Sequence, residues 1–192
     1  MSFLSISQKW SAIPGMGRGR RSMIALLLCV LFVPTLGSAA DEGEYRLKAA
    51  FIFNFIKYTE WPAASPLAGN EIVVGVLGVD PFKGFLGLIE GRTVKGRRVT
   101  IQKGNRLQDL KGCNVLVVSK SEAPRMREVI GSLKGAPVLT VSDLDGFAES
   151  GGIVGFVVEQ DSVHFNINIA AAKRSGLTIS SEILKLAKVI KG

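Results

Sequence analysis

Two short stretches, "NVLVVS" (114–119) and "PVLTVSD" (137–143), are apolar or β-branched at almost every position. A strand with one face in water alternates between apolar and polar residues. A run without alternation has both faces covered, as in a central parallel strand between layers of helices. A third run, "EIVVGVLG" (71–78), has the same β-branched character. Helical segments lie between these runs. Asp80-Pro81 opens one that runs to Ile89, and Pro124 to Leu133 forms another, ended by Gly135. "GRTVKGRRVTIQ" reads as a glycine-punctuated turn and a strand. This spacing predicts an α/β fold, an open, mostly parallel sheet with helices on both faces.

The last third changes character. "GGIVGFVVEQDSVHFNINI" holds two strands joined by the polar turn Gln160-Asp161. In the second strand Val163, Phe165, Ile167 and Ile169 alternate with His164, Asn166 and Asn168. That pattern predicts a one-sided strand and a C-terminal antiparallel hairpin that ends the sheet. "AAAKRSG" is a short helix with a glycine stop. Ser180 or Ser181 then caps a closing helix through Ile190, with Ile183, Leu184, Leu186 and Ala187 turned inward.

The first forty residues are set apart from this body. A basic start at Arg18, Arg20 and Arg21 precedes the apolar run Met23–Leu36, and Ser38-Ala39-Ala40 supplies small residues for cleavage. We expect a signal peptide over 1–40, cut after Ala40, and a single α/β domain over 41–192. The apolar run is shorter than the roughly 20 residues of a spanning helix. The whole chain carries a formal net charge of +8; without Lys9, Arg18, Arg20 and Arg21, 20 basic residues face 16 acidic ones, a net of +4. With no dense basic stripe, nothing calls for nucleic acid. Only Cys113 remains in the exported part, so no internal disulfide is expected there.

The segment "YRLKAAFIFNFIKYTEWP" (45–62) reads as a helix from Glu44 to Glu60, stopped by Pro62. At about 100° per residue, Leu47, Phe51, Phe55 and Tyr58 line one side, and Ala49, Ile52, Phe53 and Ile56 line a second. Lys48 lies between the two on one flank, and Asn54 and Lys57 on the other. A surface helix usually has one apolar stripe. One of these two covers the sheet. The other packs within the fold or meets a partner, because a contiguous exposed apolar patch marks an interaction site. The candidate partner-binding residues are therefore Ile52, Phe53, Asn54, Ile56 and Tyr58. Trp61 is expected to anchor the helix end on the sheet.

The chemical candidates are thin. One histidine and one cysteine in the exported part do not make a metal site, and "SDLDG" (142–146) lacks calcium-loop spacing, so Asp143 and Asp145 read as loop residues with Asx-turns. No G-x-S-x-G elbow exists for Ser180 or Ser181 to serve. No cofactor and no enzymatic activity are expected. "GVLGVDPFKG" (75–84) follows a strand and lacks a phosphate-cradling signature. Strand C-termini nevertheless collect ligands in open α/β sheets. A small-ligand site at Gly78, Asp80 and Ser119 is the alternative reading.

Five segments, taken in order, resemble the YfiR family: "YRLKAAFIFNFIKYTEWP", "IVVGVLGVDPF", "CNVLVVS", "PVLTVSDLDGFAESGGIVGFV" and "VHFNINIAAAKRSGLTISSEILKLAKVI". The likeness runs from Tyr45 to the C-terminus. It implies a periplasmic, non-enzymatic α/β protein that tends to form a homodimer. It further implies repression of an inner-membrane diguanylate cyclase through its periplasmic region, which lowers cyclic di-GMP and restrains biofilm formation; a sensor kinase is the other partner it allows. Some members carry cysteine pairs that confer redox sensitivity. Cys113 has no such partner here.

Overall fold

The computed structural model describes residues 37–63 and 69–190. The export signal expected in 1–40 lies, up to Leu36, outside the described residues. Helix α1 (Gly37–Tyr58) leads into β1 (Thr59–Glu60). There follow β2 (Glu71–Leu77), β3 (Thr93–Val94), β4 (Arg97–Gly104), β5 (Val115–Val118), α2 (Met126–Ser132) and β6 (Leu139–Ser142). The chain ends with β7 (Val154–Glu159), β8 (Ser162–Asn168), α3 (Ile169–Arg174), β9 (Thr178–Ile179), α4 (Ser181–Leu184) and β10 (Lys188–Ile190).

Among the described residues, eight strands form one sheet in the order β10-β8-β7-β6-β5-β2-β4-β3. From β4 to β7 all neighbours run parallel. The order reverses at β2: the chain first goes to β4 on one side, then returns to β5 on the other. The carboxyl ends of β2 and β5 therefore flank a topological switch point. The three unalternating runs are the central strands β2, β5 and β6, as their composition predicts. In β5, Val115 and Val117 point into the core beneath α1, while Leu116 and Val118 point to the opposite face, with Leu110, Val129 and Phe147. Helices cover both faces for the reason the sequence implies: each strand has two apolar sides to bury.

β7 and β8 form the expected antiparallel hairpin. Its two-residue turn has φ of 50° at Gln160 and 58° at Asp161, the left-handed pair of a type I′ turn, whose twist matches the strands. The hairpin does not end the sheet. β10 adds to β8 in parallel, with Val189 opposite Ile167. The closing helix is correspondingly short: Ser180 Oγ accepts the Glu182 N–H at 3.3 Å, the helix stops at Leu184, and Leu186 stands exposed instead of facing inward. The free edge of β8 offers backbone partners that outweigh a marginal helix, and Val189-Ile190 are good strand formers. The polar side of β8 is also not solvated throughout. His164 is exposed, but Asn166 and Asn168 are buried under the loop 143–152. Asn166 Nδ2 donates to Glu149 Oε1 at 3.0 Å, and Asn168 Nδ2 donates to the Ala148 carbonyl at 2.8 Å. Asn168 Oδ1 also caps α3 by accepting the Ala171 N–H at 2.8 Å.

Two further expectations shift. The helix expected from Asp80-Pro81 to Ile89 is a turn followed by one 3-10 helix, Phe85–Leu88. Gly84 and Gly87 weaken a longer helix, and Asp80 closes the loop by accepting the Phe82 N–H at 2.8 Å. At the end of α1 the chain turns extended two residues early, because Thr59 and Glu60 pair antiparallel with Ile179 and Thr178 of β9.

Candidate interaction face on the first helix

The sheet decides which stripe of α1 is buried. Ala49, Ile52, Phe55 and Ile56 are at most 2% exposed and sit on the central strands. Ile52 and Ile56, named from sequence as partner contacts, are thus inside this subunit and out of a partner's reach. Phe55 crosses over from the other stripe because it meets the aromatic pair of the hairpin, with ring centroids 5.7 Å from Phe156 and 5.0 Å from Phe165. Such contacts contribute about 0.5–1.5 kcal/mol each beyond area burial.

The other side of α1 looks outward. Leu47 is 44% exposed and Ala50 is exposed, while Phe51, Asn54 and Tyr58 are half-buried. Phe51 leans on Phe165 at 5.2 Å. Asn54 has no hydrogen-bond partner among the described residues. Phe53, the remaining candidate, is half-buried on a different flank, where the Arg92 guanidinium lies 3.8 Å from its ring centroid. Lys57 covers Tyr58 at 5.1 Å. Each long cation shields an aromatic face that water would otherwise meet. Trp61 anchors the helix end as expected, donating from Nε1 to the Asn114 carbonyl at 3.3 Å.

The position of α1 is fixed by a group that the sequence pattern does not reveal. Lys48 is 1% exposed. Its Nζ lies 2.8 Å from Asp143 Oδ2 and 2.5 Å from Glu44 Oε1, and 4.5 Å from the centroid of the Tyr45 ring. Tyr45 donates its hydroxyl to the same Asp143 oxygen at 2.9 Å. Burial, and then the Asp143 charge, hold the Tyr45 phenol above the ordinary phenol range. Asp143 follows the carboxyl end of β6, so this pair ties the helix to the sheet at one register. Its carboxylate serves Lys48 and Tyr45 and not the local Asx-turn expected from "SDLDG". The one available hint was a lysine set between two apolar sides of a helix.

The switch-point crevice is filled by the chain itself. Gly78 has φ of 87°, and a Cβ there would collide with the Ser119 and Ser121 hydroxyls and the Glu122 carboxylate. Ser119 and Ser121 share a hydrogen bond of 2.8 Å, and Ser121 Oγ accepts the Val79 N–H at 3.0 Å. Glu122 is ion-paired to Arg125. Asp80 is held by Lys103 at 2.6 Å. Gly78 and Ser119 lie side by side, whereas the Asp80 carboxylate turns to Lys103 and the Phe82 N–H.

Among the described residues no helix is long and apolar enough to cross a membrane. Compared with known families, the chain matches a family model described as YfiR/HmsC-like over residues 45–188. That span begins within α1 and ends at β10.

Proposed function

Because the chain belongs to the YfiR/HmsC-like family, we propose that it holds an inner-membrane diguanylate cyclase inactive by binding its periplasmic region, and so lowers cyclic di-GMP. The family is one of periplasmic regulators, tied to cyclic di-GMP signalling. The match over residues 45–188 is the observation that carries this reading.

Repression by contact needs no chemistry. The protein need only prefer the inactive conformation of its partner, and a preference of about 2.7 kcal/mol moves the equilibrium a hundredfold. The outward side of α1 is the contact surface in this proposal, with Leu47, Phe51, Asn54 and Tyr58 at its centre and Phe53 beside it. Its support is an apolar strip on a helix otherwise locked to the sheet, so a partner meets a preorganised surface. Export, with cleavage after Ala40, would place the domain 41–192 where the cyclase sensor lies. A second copy is the other occupant of the same face, and sedimentation would reveal it as a dimer that Leu47→Asp dissociates.

The test is deletion of the gene with measurement of cellular cyclic di-GMP. The expected result is a clear rise, reversed by the wild-type gene. An unchanged level defeats the cyclase reading and directs attention to a sensor kinase.

A further inference from the structure

While the switch-point crevice is closed, the opposite end of the sheet is open. A cavity of about 320 Å³ lies where β6 and β7 begin, between α2 and α3. Ile130, Leu133, Ile153 and Ala171 give it apolar walls. Lys134 and Arg174 stand at its rim, and no carboxylate is among its lining residues. Neither cation makes an ion pair among the described residues, whereas Lys48, Lys103 and Arg125 all do. Three hydroxyls complete the lining: Thr140, Ser150 and Ser175. Thr140 Oγ1 accepts the Ile153 N–H at 2.9 Å, which leaves its own proton to donate.

We propose that this cavity binds a small organic anion, a monocarboxylate with an apolar body. The carboxylate is held by Arg174, Lys134 and the hydroxyls, and the hydrocarbon lies against Ile130, Leu133 and Ile153. The volume sits at the small end of the range for ligand pockets, about 300–1,000 Å³. An apolar pocket with a few convergent donors is the usual form of such a site. Charge selects the ligand class: two unpaired cations and no acid repel an amine and attract an anion, and charge-assisted hydrogen bonds are the strong ones. The inference goes beyond the cyclase reading and does not need it.

The test uses the purified protein with benzoate, 3-phenylpropionate and hexanoate, and with 3-phenylpropanamide as the uncharged control. Calorimetric titration and thermal melting are read together. The expected result is that at least one acid binds and raises the melting temperature, and that the amide binds about tenfold more weakly or worse. The double variant Lys134→Ala/Arg174→Ala, both at exposed positions, is expected to weaken the acid at least about tenfold while melting like wild type. Gly131 lines the cavity and has nothing within 4 Å of where a Cβ would stand. The Cβ of Gly131→Leu therefore meets no neighbour, and the variant is expected to abolish binding with both cations in place. Equal affinity for acid and amide overturns the proposal. So does acid binding that ignores both sets of substitutions, or no response to any of the three acids at about 10 mM, tenfold above a dissociation constant of 1 mM.

Discussion

On one face of the sheet a long helix lays Ile52, Phe55 and Ile56 across the central strands, is pinned by the Lys48–Asp143 pair, and is flanked by Leu86, Ala172 and Ile183 from shorter segments. On the other face the cover comes in pieces: α2, the 3-10 helix Leu107–Leu110 and the loop carrying Phe147. The pieces leave a wider gap than the one of about 310 Å³ beside Ile56 and Trp61 at the end of α1. A second cavity, of about 500 Å³, opens among Leu107, Leu110, Cys113, Leu133 and Val138. The anion-binding cavity lies at the end of the sheet where the two covers meet, with Ile130 and Leu133 from this face and Ile153 and Ala171 from the α1 side. A continuous helix presents an unbroken row of side chains to fill a sheet's grooves, whereas short segments leave gaps where each one ends. The same protein thus has one face held by a pinned helix, whose outer side can be read by a partner, and another with more room inside it.

The sharpest way to break this contrast is at the pin. Lys48→Ala leaves Asp143 buried and without its main cation, and is expected to cost about 3–5 kcal/mol in urea unfolding. Removing Asp143 as well should return part of that loss; a single variant as stable as wild type would mean that the pair does not position α1. Phe55→Ala should cost about 3–5 kcal/mol, because the helix cannot collapse into the space. Leu110→Ala, on the looser face, should cost nearer 2 kcal/mol. If Leu110→Ala equals or exceeds Phe55→Ala in denaturant melts, the two faces are packed alike.

Cys113 probes the looser face by pH. Burial pushes its thiol up from 9.0 to about 11. The folded chain therefore keeps a proton that the unfolded chain releases, so stability falls as pH rises between 9 and about 11. This part of the pH dependence, on the order of 1–2 kcal/mol, should vanish in Cys113→Ala when the two proteins are melted side by side; identical curves would show the thiol already open to water. The smallest stability effects belong to the outer side of α1. Leu47→Asp should change stability by no more than about 0.5 kcal/mol yet raise cyclic di-GMP in cells. Stability lost with signalling unchanged would reverse the roles given to the two sides of the helix.

Periodicity alone located the leading helix, the three unalternating strands and the Gln160-Asp161 hairpin, because each depends on neighbours in the chain: apolar runs, a proline stop, a polar turn. It also showed two apolar sides on α1. It could not say which of them faces inward, since both are greasy and the choice depends on where Phe156 and Phe165 arrive from the far end of the chain. That choice reversed two of the candidate contacts, Ile52 and Ile56. The Lys48–Asp143 pair joins residues 95 positions apart, and no local pattern announces such a partner. β10 became a strand and not a helix for the same reason: four to six residues are close to neutral between states, and the open edge of β8 settles the matter. Where local preference is strong, the amino-acid sequence determined the outcome; where it is balanced, hydrogen bonds and charges brought in from distant segments decided it.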